Sequence, residues 1–213
     1  MRRQAALSVL TVAILLVGDW NIQSASQAAT DTTLGKAYFA GGCFWCMEEA
    51  FEKVEGVLSV TSGYMGGTVV NPSYEEVSAG RTGHAESVEV VYDPAKVSYQ
   101  KLLDAFWRNV DPVTPNAQFC DHGSQYRSAV FFQTDEEKRA SDTSKQAIEQ
   151  SKRFTEPIVT QIMQASRFYP AEEYHQDFYK NNPVRYNLYR FNCGRDARLE
   201  ELWGKEAGGG IPH

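Results

Sequence analysis

Lys36-Ala37-Tyr38-Phe39-Ala40-Gly41-Gly42-Cys43-Phe44-Trp45-Cys46-Met47-Glu48 passes from a short strand-like run, Lys36 to Ala40, through paired glycines into a helix-like run. Met47, Ala50, Phe51 and Val54 recur at helical spacing, and Gly56 stands where a helix C-cap belongs. Cys43 is thereby set at a helix N-terminus, facing amide N–H groups without intrahelical partners and the positive end of the helix dipole. Both favour thiolate, so its pKa is expected below the free value of about 8.5. The glycines permit a sharp turn and close approach of a ligand. Phe44 and Trp45 put aromatic surface beside the sulfur, and the stretch reads as a nucleophile next to a small apolar pocket.

Outward from this stretch, Val57 to Tyr64 reads as a second strand, and Gly66-Gly67 opens a polar loop that runs to Gly83. His84 to Tyr92 alternates, so that Val88, Val90 and Tyr92 share a face with Glu86. Ser98 can cap a helix carrying Leu102, Leu103, Phe106 and Val110; after a loop rich in Asp, Pro and Gly, Ser128 to Phe132 is a strand. Strand, helix, strand, strand, helix, strand is the split βαβ order of ferredoxin-like folds. Further on, Thr134 with Glu137 forms a capping box opening a helix to about Arg153. Pro157 to Ile162 reads as a short strand, Pro170 as the first turn of a helix through about Asn181, and Asp196 to Trp203 as a last helical piece.

The chain of 213 residues opens on Arg2-Arg3, an apolar run from Ala5 to Val17 and the cleavage-like Ser26-Gln27-Ala28. This is the pattern of a secretory signal peptide over 1–28, which leaves 29–213 as one domain, with its core at about 36–182 and a C-terminal tail over 183–213. Such a chain is expected to be exported, to the periplasm if bacterial. The formal net charge of -6 argues against nucleic acid as partner. Cys43, Cys46, Cys120 and Cys193 are too few for a disulfide scaffold of this length, which favours redox work by some of them.

From the alternation alone Glu86 reads first as a solvated strand-end carboxylate; buried on the apolar strand face instead, it would carry a raised pKa and donate a proton near neutral pH. In Asp121-His122-Gly123-Ser124-Gln125-Tyr126-Arg127-Ser128, Asp121 and Tyr126 can bind a polar substrate atom, or the segment is a plain turn feeding a strand. His84, His122 and His175 do not fall at metal-ligand spacing with the cysteines, and one Cys-x-x-Cys pair is a weak zinc signal. No phosphate loop or dinucleotide fingerprint is present, and neither a metal nor an organic cofactor is expected.

Gly42-Cys43-Phe44-Trp45, Gly63-Tyr64 with Gly66-Gly67, Thr82-Gly83-His84-Ala85-Glu86, the Asp121 to Ser128 segment and Ala171-Glu172-Glu173-Tyr174-His175-Gln176 occur in one order over about 36–182. Together they resemble the peptide methionine sulfoxide reductases of the A class. The resemblance implies a two-layer α/β sandwich of the α+β class, with a ferredoxin-like core and a mixed sheet. It implies reduction of the S-epimer of methionine sulfoxide, free or in oxidised proteins. Cys43 takes the position of the nucleophile and Glu86 that of the acid on the sulfoxide oxygen. Tyr74, Asp121 and Tyr126 match the polar pocket, and Phe44 and Trp45 the apolar cage for the S-methyl group. Cys43 would become a sulfenic acid, a second thiol would condense with it, and a thioredoxin-like dithiol donor would reset the enzyme, a monomer.

The departure from the commonest pattern of that family is Cys46, where Gly is usual. Cys46 and Cys193 are both candidates for the resolving thiol, and Cys120 is a relay, a structural partner or inert. Rival readings are a general thiol–disulfide oxidoreductase built on Cys43 and Cys46, and an exported binding domain held by disulfides.

Overall fold

The computed structural model describes residues 33–209. β1 (Gly35–Gly41), α1 (Phe44–Glu52), β2 (Val57–Met65), α2 (Tyr74–Ser78), β3 (Ala85–Tyr92) and α3 (Tyr99–Trp107) come first. A short hairpin of β4 (Ala117–Gln118) and β5 (Asp121–His122) precedes β6 (Ser128–Phe132), α4 (Asp135–Gln150), β7 (Gln161–Gln164) and β8 (Tyr169–Pro170). Then follow α5 (Phe178–Asn181), α6 (Pro183–Asn192) and α7 (Arg195–Trp203).

The main sheet runs β7-β6-β1-β3-β2-β8. Its pairs are antiparallel except β6 with β7, so the sheet is mixed. Its centre, β6-β1-β3-β2, is the ferredoxin-like order built by the split βαβ unit. Strand alternation sorts the side chains: Ala37, Phe39, Val88, Val90 and Val130 join the core under the helices, whereas Ala40, Ala85, Ala129 and Phe131 pack on the opposite face. Phe39 stacks on Phe51 of α1 and Phe106 of α3, with ring centroids 4.7 and 5.4 Å away. Truncating so buried an aromatic typically costs about 3–5 kcal/mol, a large share of a domain's net stability.

Several elements differ from the sequence reading. The loop from Gly66 to Gly83 contains α2, opened by a capping box: Ser73 Oγ accepts from Glu76 N–H, and Glu76 Oε2 accepts from Ser73 N–H at 2.9 Å. At α4, Thr134 Oγ1 accepts from Glu137 N–H, but the Glu137 carboxylate accepts from Gln133 N–H, one residue earlier than a capping box requires. The strand expected at Pro157 to Ile162 lies instead at Gln161–Gln164, because Val159 N–H is taken by Pro112 C=O at 2.8 Å.

The helix expected from Pro170 to Asn181 is broken. Pro170 pairs with Gly63 in β8, Glu173–His175 forms a 3₁₀ turn, and Asp177 adopts a left-handed φ of 52° before α5. Gln176 fixes that break from outside the helix, its side chain accepting from Ser62 N–H and donating to Ser62 C=O, both at 2.9 Å. The tail adds α6, opened by Pro183 in its first turn, and α7, which brings Leu199, Leu202 and Trp203 into the main core. The Trp203 indole N–H donates to Val110 C=O at 3.0 Å. The segment 1–28, expected to be a signal peptide, lies outside the described residues.

Candidate active site

β1 and β3 are antiparallel neighbours, Phe39 opposite Val88, so the end of β1 and the start of β3 meet at one end of the sheet's central strands. Past β1 the chain turns at Gly42, whose φ is 80°. A Cβ there would meet the Gln118 side chain at 2.4 Å, so glycine satisfies both the conformation and the close approach. Cys43 follows as the N-cap of α1, 6% exposed. Its side chain makes no capping bond. The Phe44 N–H donates instead to Glu86 Oε2 at 3.0 Å. Glu86 itself is 3% exposed.

This arrangement corrects the expectation for Cys43. Burial, above all, pushes its thiol up, and the neighbouring Cys46 and the Glu86 charge add to that; a Tyr189 hydroxyl opposes them. Cys46 goes the other way, to about 6: the hydrogen bond from Cys43 is the largest cause, outweighing burial, with the Arg195 and Arg190 charges helping. The two thiols are buried, free of disulfide bonds and in mutual contact, so they share one proton and one charge. Burial pushes the Glu86 carboxyl up to about 8, and the nearby Asp121 charge adds to this; the Phe44 N–H holds it lower than burial alone would. At neutral pH the cavity therefore contains a carboxylic acid beside a singly charged thiol pair.

Cys43, Phe44, Trp45, Tyr74, Glu86, Asp121, Tyr126 and Tyr189 line one cavity of about 70 Å³. Every pocket residue named from the sequence is on that wall. The volume is far below the ~300 Å³ at which pockets for whole small molecules begin, so it admits only the end of a side chain. A larger open cavity of about 610 Å³ beside α6 and α7, with Arg190, Asp196 and Lys205 on its wall, holds neither thiol nor Glu86. Chemistry follows the small one.

Sequence reasoning missed the groups that hold this wall in place. Tyr189 of α6 lines the cavity and donates to Asp121 Oδ2 at 2.5 Å. Glu172 bridges two elements, accepting from Tyr64 Oη–H and from Tyr74 N–H, each at 2.8 Å, which sets α2 over the site. His175 Nδ1 accepts from the Trp45 indole N–H at 3.2 Å, and Phe178 stacks on Trp45 with centroids 3.7 Å apart. Beneath the cysteines the buried Arg195 donates to Asn109 C=O at 2.7 Å and Gly41 C=O at 3.3 Å. Helical spacing of Tyr186 and Tyr189 after Asn182-Pro183 was the available signal for α6. Of the resolving candidates, Cys46 lies beside Cys43, and Cys193 is joined to Cys120 in a disulfide.

A family profile described as peptide methionine sulfoxide reductase matches residues 35–207. The chain belongs to this family. It is an oxidoreductase that reduces methionine sulfoxide. The reductase is 49% identical over 172 residues to the peptide methionine sulfoxide reductase MsrA of Halalkalibacterium halodurans, covering 81% of this chain and 98% of that one. With the MsrA of Bacillus licheniformis it shares 46% identity over 170 residues, 80% of this chain and 94% of the relative. Among solved structures it is similar to Mxr1 of Saccharomyces cerevisiae in reduced form, with a TM-score of 0.68 and 31% identity over 72% of this chain and 88% of that one. Methionine sulfoxide reductase A of Corynebacterium diphtheriae gives 0.65 and 32% over 71% and 76%. The α+β sandwich with a mixed sheet is thus the fold of the family.

Proposed function

We propose that the reductase acts on the S-epimer of methionine sulfoxide, in oxidised proteins or free, with Cys43 as nucleophile, Glu86 as acid and Cys46 as resolving thiol. The single observation that carries this reading is the meeting of Cys43 with a buried, protonated Glu86 through the Phe44 N–H. A sulfoxide sulfur is a poor electrophile until its oxygen is protonated. Glu86 gives its proton to that oxygen, and the Tyr74 and Tyr126 hydroxyls, both held protonated by burial, stand on the same wall to orient it. The proton that Cys43 carries at rest passes to Cys46, and the Cys43 thiolate attacks sulfur. The methyl group lies against Phe44 and Trp45.

As the new bond between the two sulfurs breaks, the hydroxyl passes from the substrate sulfur to the Cys43 sulfur, so that the sulfide leaves with the bonding pair and Cys43 becomes a sulfenic acid. Cys46 attacks the Cys43 sulfur, water departs, and a Cys43–Cys46 disulfide remains. Methionine sulfoxide and two thiols have become methionine, water and a disulfide. A thioredoxin-like dithiol donor reduces that disulfide by exchange. Contact between Cys43 and Cys46, with Cys193 already bonded to Cys120, supports Cys46 as the resolving thiol.

The cavity is complete within one chain, which supports action as a monomer. The Arg2-Arg3 start, the apolar run and the Ser26-Gln27-Ala28 site support export, and in a bacterium a periplasmic location. No helix among the described residues is long and apolar enough to cross a membrane.

The test mixes the pre-reduced chain, without added reductant, with separated S and R sulfoxides of a blocked methionine, and counts sulfide per enzyme. Sulfide from the S form alone, abolished in Cys43→Ser, is the expected result. No sulfide from either form removes the reading.

A further inference from the structure

Cys120 and Asp121 are adjacent at the tip of the β4–β5 hairpin, and Tyr189 and Cys193 lie one turn apart on the same side of α6. These four residues make two parallel links between the same two elements. One is the Cys120–Cys193 disulfide, and the other is the Tyr189 hydroxyl on Asp121 Oδ2 at 2.5 Å. Asp121 and Tyr189 both face the cavity, whereas the disulfide does not line it. We propose that Cys120 and Cys193 are positioning residues for sulfoxide binding: their disulfide holds Tyr189 on Asp121 and so fixes one wall of the cavity. This rests on the function proposed above.

Each element has its own anchors, the hairpin at its base and α6 through the buried Tyr186, whose hydroxyl donates to Glu49 Oε2, and the two links join them beside the cavity. The hairpin has only two paired residues in each strand, and isolated hairpins of that size are marginal at best. Its base is secured by Gln118, which accepts from Asp111 N–H at 2.9 Å and donates to Asp111 C=O at 2.6 Å. At the tip, Phe119 takes a left-handed φ of 56° and Cys120 is exposed, its N–H bonded to Cys193 Sγ at 3.2 Å. The outward face of α6, with Val184, Leu188 and Phe191, is exposed, so that helix is fastened by its inner face alone. A hydrogen bond between two such elements competes with water. A covalent tether one residue away raises the effective concentration of its partners and shifts that competition.

The experiment compares the unaltered chain with Cys120→Ser/Cys193→Ser, Tyr189→Phe and the triple variant in single-turnover reduction of the S sulfoxide. The double Ser variant is expected to raise the half-saturating sulfoxide concentration roughly tenfold, the worth of about one hydrogen bond, with the limiting rate changed less than about threefold. Tyr189→Phe is expected to give a similar rise, and the triple variant no further one, since the disulfide acts through that hydroxyl. Additive losses overturn the proposal. So does an unchanged half-saturation with turnover arrested only when a dithiol protein is the reductant, which makes the pair an electron relay. Should the Ser variants not fold, the same half-saturation is read on the unaltered chain twice, once as isolated with Cys120–Cys193 intact and once fully reduced. A tenfold difference supports the clamp and equality overturns it. Absence of sulfide from the unaltered chain strikes at the proposed function instead.

Discussion

The Phe44 N–H donates to the Glu86 carboxylate across 3.0 Å, joining the first turn of α1 to the first turn-side end of β3. The amide that the helix start offers is therefore used by the acid and not by the Cys43 sulfur. The bond aligns Glu86 with the nucleophile, and it leaves Oε1 of the buried carboxyl to carry the proton.

Glu86→Gln keeps the shape and the Phe44 bond but has no proton to give. We expect the single-turnover rate to fall by roughly 10²–10⁴, the range for a lost general acid. Rapid-quench sulfide counting checks this, and an unchanged rate excludes Glu86 as the acid.

The same variant is expected to be the more stable protein at alkaline pH. Glu86 keeps its proton in the folded chain up to about 8, against an ordinary value of 4.5. Between those values the unfolded chain has lost a proton that the folded chain retains, so folded stability drops as pH rises through the window. Melting temperatures at pH 5 and pH 9 measure it: Glu86→Gln should gain on the unaltered chain at pH 9. Some slope persists in the variant, because burial also pushes Glu48 up to about 7.

The pH profile of single-turnover rate should be bell-shaped. Its rising limb belongs to the thiol pair, which loses its first proton near 6 on Cys46, and its falling limb to Glu86 near 8. The acidic limb is expected to move in Cys46→Ser more than the alkaline limb, because burial is the main cause that holds Glu86 up and the Cys46 charge is a lesser one. A profile flat from pH 5 to pH 9 contradicts both assignments.

Cys46→Ser is also expected to release about one sulfide per enzyme and then stop, with Cys43 trapped by a sulfenic-acid reagent. Mass spectrometry of the spent unaltered chain should show two disulfides, Cys43–Cys46 beside Cys120–Cys193. Normal cycling of the variant with a dithiol protein assigns resolution to another thiol.

Glu172→Ala removes the acceptor shared by Tyr64 Oη and Tyr74 N. Hydrogen bonds to charged groups contribute about 1.5–3 kcal/mol, and partial exposure puts the expected loss of stability near the lower figure. Denaturant titration reads that loss. Since α2 carries Tyr74 to the cavity, the half-saturating sulfoxide concentration should rise as well.

Much of the fold was legible because its signals are local. The alternation of His84 to Tyr92, the helical spacing after Cys43 and the Ser98 and Thr134 caps act over a few residues and predict their elements without reference to the rest of the chain. The Ser73-to-Glu76 box was equally local and was passed over inside a polar loop. The residues of the cavity wall other than Tyr74 could be named for a different reason: they sit in short motifs, which the fold gathers at one end of β1 and β3.

Neighbouring residues suffice for the strand–turn–helix at Cys43, the split βαβ order and the place of Glu86 on an apolar strand face, since backbone periodicity and capping act over a few positions. Tertiary packing set which thiol carries the charge, for burial and the Arg195 and Arg190 charges come from distant segments and outweigh the local helix start. It decided the break at Asp177, where Gln176 bonds to Ser62 of β2 in place of continuing a helix. It also decided the pairing of Cys120 with Cys193 across 73 residues, because two sulfurs bond only where the packing of hairpin against α6 brings them together.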